Sequence, residues 1–170
     1  MNRQRQHGVA LITGLIFLVV LTLLAVAAMR TTSLDEKMAG NALNQNAAFQ
    51  SAEAAIRIAE KFLDTSNAGA GLPAFNGSVT GYYQNLVTNN SDAFWTAYNW
   101  GAGSVLTASG LAGVAQQPRY MIEKMNVVPP GQSIKSGSGT ATNSVYRITA
   151  RGVGGDVNTV AILQSTFLKN

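Results

Sequence analysis

The longest hydrophobic stretch of the chain lies near its N-terminus. Residues 9–29 contain no charged residue and no proline, and the only hydroxyl side chains in the stretch are two threonines. As a helix these residues rise roughly 31 Å at about 1.5 Å each, close to the thickness of the hydrocarbon core of a bilayer. Arg30 ends the stretch. The pattern predicts one membrane-spanning helical segment over residues 9–29.

The following residues have the pattern of an amphipathic helix. No proline occurs before Pro73, so the same helix is predicted to continue through residues 30–64. Apolar residues recur there at alternating spacings of three and four, which puts them on one helix face. The members of this predicted stripe are Phe49, Ala52, Ile56, Ala59 and Leu63. We expect the stripe to pack against the protein's own folded head, predicted over residues 65–170.

The first part of the head, residues 65–117, is predicted to be irregular or a mixture of short helices and loops. It begins with glycines and a proline that cannot extend a helix. Four aromatic side chains fall within residues 94–100, in a short helix or an aromatic-lined loop. Core packing of these aromatics is favoured over a recognition surface.

The second part of the head, residues 118–170, is predicted to form an antiparallel sheet of about three strands, at 119–128, 144–151 and 158–167. The middle strand alternates, with one face formed by Tyr146, Ile148 and Ala150 and the other by Arg147, Thr149 and Arg151. Such a sheet has one solvent-exposed face and one face that needs an apolar cover, which the helical stripe can provide. The predicted fold class is therefore α+β.

The charge distribution indicates membrane topology and not nucleic-acid binding. The formal net charge is +4, but Arg3 and Arg5 precede the apolar stretch, and the other ten basic residues are scattered among eight acidic ones. No basic patch is indicated. Because positive residues stay on the cytoplasmic side, we expect the N-terminus in the cytoplasm and the head in the periplasm.

The chain also lacks most residue types on which enzymes rely. It has no cysteine, and its one histidine is His7, within the N-terminal segment. Catalysis would rest on carboxylates, and Asp92, Glu123 and Asp156 stand in no recognisable motif. We expect no catalytic site, no cofactor and no metal site.

The junction at Gly8 resembles that of type IV prepilin-like proteins, because a short basic segment ends in glycine and an uncharged helix follows at once. The resemblance implies that residues 1–8 are a leader, which a prepilin peptidase removes after Gly8 before methylating the new amine of Val9. A cleaved secretory signal is the alternative, but its apolar core would be only about 7–15 residues long.

Four further segments are similar to the PilX group of minor pilins: residues 28–41, 48–55, 146–152 and 163–167. The resemblance implies a pilin-like fold and a structural role in initiating a type IV pilus, with support of adhesion and twitching motility. The implied partners are other minor pilins, the major pilin, a PilY-type tip adhesin and the inner-membrane assembly platform. Small residues would permit close helix packing in the filament: Ala10, Gly14, Ala25 and Ala28.

Two positions depart from the common pilin pattern, and the first is Val9, where most such proteins begin the mature chain with phenylalanine. Most such proteins carry glutamate as the fifth mature residue, where it pairs with the N-terminal amine of a neighbouring subunit, and this chain has Thr13. A subunit without that carboxylate cannot pair with a subunit ahead of it, and the first subunit has none ahead. A place at the pilus tip is therefore expected. The alternatives are a tip pseudopilin of a type II secretion system and a membrane-anchored module that binds a surface or DNA through Trp95 and Trp100.

Overall fold

The structure is a computed structural model, and it describes residues 8–66, 71–86, 91–107, 110–125 and 144–169. The chain divides into two compact units, residues 1–42 and residues 43–170.

Helix α1 runs from Val9 to Thr65, 57 residues, as the proline-free pattern predicts. It is long and apolar enough to cross a membrane, by length and composition. Within the first unit every described side chain is exposed. The four threonines of that unit donate their hydroxyls to carbonyls of the preceding helical turn. Each threonine thus satisfies its hydroxyl inside its own helix, which makes it compatible with an apolar surrounding.

The described part of the head, in the second unit, contains five strands and two short helices. Their bounds are β1 Tyr82–Gln84, α2 Asp92–Ala97, α3 Trp100–Gly103, β2 Val105–Leu106, β3 Arg119–Lys124, β4 Ser144–Val153 and β5 Val160–Lys169. The sheet has the order β1-β3-β4-β5, and β2 also pairs with β3.

The three predicted strands correspond to β3, β4 and β5, and their antiparallel pairing is confirmed. Strand β3 ends at Lys124, and the expected extension over 126–128 lies outside the described residues. The whole sheet is mixed, because β1, a strand that the sequence did not predict, pairs with β3 in parallel. Parallel neighbours need a crossover connection, and the segment that contains α2 and α3 provides one.

The larger hydrophobic core lies between the C-terminal part of α1 and one face of the sheet. Its buried members are Ala55, Ile56, Ala59, Leu63, Tyr82, Tyr120, Ile122, Tyr146, Ile148 and Ala150. The predicted alternation in β4 is confirmed, since Tyr146, Ile148 and Ala150 all belong to this core.

The opposite face of the sheet is not left to solvent, contrary to the sequence-based expectation. Trp95 of α2, Trp100 of α3 and Met121 of β3 form a second buried cluster there, joined by the half-buried Ile162 of β5. Helices α2 and α3 lie over this face because their aromatic side chains are buried against its apolar surface. The head is therefore a three-layer arrangement, with α1 on one face and the short helices on the other.

Candidate functional site

The structure begins α1 at the position where the sequence predicts processing. Gly8 lies exposed in a turn, and its carbonyl accepts the first helical hydrogen bond, from the Ile12 amide at 3.3 Å. Val9 is the first helical residue and is 67% exposed. The bond between Gly8 and Val9 therefore joins a non-helical residue to the start of a continuous helix.

Thr13 has no unsatisfied polar group. Its hydroxyl lies 2.9 Å from the Val9 carbonyl and 3.0 Å from the Ala10 carbonyl, to which it donates. A glutamate at this position could not satisfy both carboxylate oxygens in the same way, since backbone carbonyls accept and do not donate. The position is thus neutral and satisfied within one chain.

The four small residues expected to pack in a filament share one side of α1. At about 100° per residue, Ala10, Gly14, Ala25 and Ala28 fall within an arc of roughly 60°. All four are exposed in the single chain, and a Cβ added at Gly14 would meet nothing within 4 Å. Small side chains on this side leave room for another helix to approach closely at two levels of residues 9–29, one near the N-terminal end and one near the C-terminal end.

Most of the predicted stripe faces the sheet, but one member does not. Ala52, Ile56, Ala59 and Leu63 are buried, whereas Phe49 is 49% exposed. The inward position at that level of the helix belongs instead to Ala48, which is 1% exposed. Placing Phe49 in the stripe was wrong because the spacing admits either residue.

The helix and strand β4 approach closely at the level of Ala48. A Cβ added to Gly152 of β4 would lie 2.2 Å from the Ala48 carbonyl oxygen and 2.3 Å from the Ala52 nitrogen. Strand and helix backbones therefore touch, and an aromatic ring has no space between them. Small residues therefore occur on both sides of this contact, alanines on the helix and glycine on the strand.

The aromatic layer on the other face, defined as Phe94, Trp95, Tyr98 and Trp100, is tightly packed. Its ring centroids lie 4.9–5.8 Å apart. The Tyr98 hydroxyl donates to the Gly103 carbonyl at 2.6 Å, and the Tyr83 hydroxyl donates to the same oxygen at 3.0 Å. Burial, and then the neighbouring Tyr83 hydroxyl, raises the pKa of Tyr98. The expectation that these aromatics pack in a core agrees with this arrangement, because Trp95 and Trp100 are 6% and 7% exposed.

Charged side chains form two cross-strand pairs beneath this layer. Glu123 of β3 and Arg147 of β4 are directly opposite and form an ion pair at 2.8 Å, with the carboxylate fully buried. At the other end of β3, Arg119 lies directly opposite Arg151. One pair therefore joins opposite charges and the other juxtaposes like charges.

A cavity of about 840 Å³ opens between the aromatic layer and strands β4 and β5. Its lining includes aromatic and aliphatic side chains together with the charged Asp92 and Arg151. The sequence did not predict this cavity, because it arises only when residues 92–101 fold over the far face of the sheet. The alternation of Arg147, Thr149 and Arg151 was the one signal that polar groups would gather there.

Comparison with protein families gives two matches that together cover most of the chain. The family described as type IV pilus assembly protein PilX, C-terminal, matches residues 67–169, and the PilX N-terminal family matches residues 7–57. Searches of curated proteins and of solved structures gave no significant match. The residues matched form one long N-terminal helix and a mixed sheet. The chain belongs to the PilX family of type IV pilus assembly proteins.

Proposed function

We propose that the chain is a minor pilin that helps to initiate a type IV pilus and stays in its tip complex. The membership in a pilus assembly family gives the general role, and Thr13 carries the proposal of the tip. A carboxylate in the hydrocarbon region costs about 2.5–3.5 kcal/mol on insertion scales, and in pilins it is offset by pairing with a neighbour's amine. Thr13 satisfies its hydroxyl inside its own helix and needs no such neighbour.

The proposed life cycle of the subunit begins in the inner membrane. Residues 9–29 span the bilayer, residues 30–64 continue the helix into the periplasm, and the head follows. A prepilin peptidase cuts after Gly8 and methylates Val9, where the exposed turn ends and the helix begins. The subunit then joins other minor pilins, a PilY-type adhesin and the major pilin at the assembly platform, and supports adhesion and twitching motility. The role is structural and not catalytic.

Processing is tested by mass spectrometry of the mature N-terminus. The chain is expressed with and without a prepilin peptidase, and the expected product with the peptidase is a methylated chain that begins at Val9. Gly8→Val should block the cut, and Gly14→Val serves as a control because it changes a glycine inside the helix. An intact Met1 in the presence of the peptidase, or a cut near Ala28, would contradict the proposal.

The place in the pilus is tested by labelling sheared filaments. The wild-type protein should be found at one end of each filament. Thr13→Glu should shift the label into the shaft or reduce the number of pili initiated. The new carboxylate is stabilised only when it pairs with the N-terminal amine of a subunit ahead. Thr22→Glu adds the same charge at another threonine whose hydroxyl is satisfied in its own helix, and it should not move label into the shaft. Uniform labelling of the wild-type protein along the shaft would rule out a tip subunit.

A further inference from the structure

The juxtaposed arginines in the head have no carboxylate partner among the described residues. Arg119 and Arg151 are cross-strand neighbours, and like charges directly opposite each other destabilise a sheet. Two ion pairs occur in the described parts of the chain, Glu53 with Arg57 and Glu123 with Arg147, and neither includes these arginines. The same sheet face therefore neutralises its charges at one end and leaves two cations together at the other.

Within the described residues, each of these guanidinium groups donates through only one of its nitrogens. Arg119 donates through one nitrogen to the carbonyls of Trp100 and Gly101 at 3.3 and 3.4 Å. Arg151 donates through one nitrogen to the Gln116 side chain at 3.3 Å. Each guanidinium has five N–H groups in a planar fork that suits carboxylate and phosphate. Donors therefore remain for an anionic ligand.

The electrostatic surroundings of Arg151 also favour an anion. Partial burial, and then the charge of Arg119, lower the pKa of Arg151. Both influences oppose the charged form of the side chain, and a bound negative group would relieve both. The position thus carries a charge whose compensation is missing from the described protein.

The cavity next to Arg151 has the size and chemistry of a small-molecule site. Its volume of about 840 Å³ falls in the range of ligand pockets, about 300–1,000 Å³. Polar side chains and apolar walls share the lining, which includes Asp92, Asn99, Gln164, Trp100 and Ile162. Asp92 forms no ion pair with Arg151. A ligand that meets both residues therefore needs a negative group for the arginine and hydroxyl donors for the carboxylate.

We propose that this cavity binds an acidic sugar, with the sugar carboxylate on Arg151 and the sugar hydroxyls on Asp92, Asn99 and Gln164. Arg119 adds a second positive charge beside the carboxylate. A simple inorganic anion would meet the arginines but would not use the polar side chains that line the cavity, and a neutral sugar would leave the arginines without a negative group. The proposal concerns a recognition function of the head and does not depend on a place at the pilus tip.

The test measures ligand binding by the full chain in detergent micelles. Glucuronate, glucose and sulfate are titrated separately, and binding is followed by calorimetry and by the fluorescence of the two tryptophans. Glucuronate should bind saturably and more tightly than either glucose or sulfate. Arg151→Gln should weaken glucuronate binding by about tenfold or more, the size expected for hydrogen bonds to a charged group. Arg57→Gln removes an equal charge from an exposed position of α1 and should leave glucuronate binding unchanged.

A second pair of variants separates recognition from folding. Arg151→Lys keeps the charge without the fork, and a correctly folded variant, verified by near-ultraviolet circular dichroism, should bind glucuronate less tightly than the wild type. Asp92→Asn should weaken glucuronate and leave sulfate unchanged. Equal affinity for glucuronate and glucose, equal affinity for glucuronate and sulfate, or no loss in Arg151→Lys and Arg151→Gln would overturn the proposal.

Discussion

At the scale of single residues, the ion pair buried under the aromatic layer is the feature whose disruption we expect to lower the free energy of unfolding most. The Glu123 side chain is fully buried and the Arg147 side chain is 13% exposed. Two guanidinium nitrogens of Arg147, Nε and one terminal nitrogen, both lie 2.8 Å from the same carboxylate oxygen. Removing one partner would leave the other charge in a site that excludes water, and that loss exceeds the net stabilisation by the pair itself.

Arg147→Met should therefore lower the free energy of unfolding by about 3–5 kcal/mol. Denaturant unfolding monitored by tryptophan fluorescence measures this in the head, where both tryptophans lie. Arg57→Met breaks an ion pair of 2.7 Å on the exposed side of α1, and it should cost only about 0.3–0.5 kcal/mol. Similar losses in the two variants would show that the burial of Glu123 has little energetic effect.

At the scale of secondary-structure elements, the contact between α1 and β4 is determined by small residues on both sides. A Cβ added to Gly152 would clash with the backbone of Ala48 and Ala52. A Cβ added to Gly154, two residues later, would lie 2.4 Å from the carbonyl oxygen of Asn44. Main-chain atoms cannot move aside as a flexible side chain can. The distance between helix and strand is therefore set by the absence of two Cβ atoms.

Gly152→Ala should destabilise the head by about 1–3 kcal/mol, because the added methyl group forces helix and strand apart. Thermal unfolding followed by circular dichroism measures the loss. Gly110→Ala is the matched control, since a Cβ there meets nothing within 4 Å, and its effect should be near zero. An unchanged melting temperature in Gly152→Ala would mean that α1 can shift away from β4 at no cost.

At the scale of the whole head, two hydrophobic clusters cover the two faces of one sheet, and each contains a tyrosine that resists ionisation. Burial, and then the hydrogen bond with Tyr120, raises the pKa of Tyr82 in the cluster against α1. Tyr98 has a raised pKa in the aromatic layer. The folded head holds these protons at a pH at which the unfolded chain releases them.

The stability of the head should therefore be unaffected by these groups below about pH 10 and should fall as pH rises above it, where unfolded tyrosines ionise. The free energy of unfolding is measured between pH 8 and pH 12. Tyr98→Phe removes one of the two contributions, so its stability should fall less steeply over the same interval. Parallel curves for the wild type and Tyr98→Phe would contradict the contribution of Tyr98.

Short-range pattern was sufficient for the elements that repeat regularly. Residues 9–65 lack proline and carry apolar side chains at helical spacing, and β4 alternates along its length, so helix and strand follow from local sequence. The position of Phe49 could not be obtained in this way, because helical spacing allows either residue 48 or residue 49 to face inward. The choice depends on Gly152, which is about a hundred positions away in the chain and in contact only after folding.

The sequence by itself determined the long helix, the three antiparallel strands, and the resemblance of N-terminal and C-terminal segments to a pilus assembly protein. The tertiary structure alone decided that β1 joins β3 in parallel, that the aromatic layer covers the second face, and that Arg119 and Arg151 stand together beside a cavity. The physical reason is the range of the interactions. Periodicity reports which side of an element is apolar, whereas cavities and charge pairs form between side chains that only chain crossovers bring into contact.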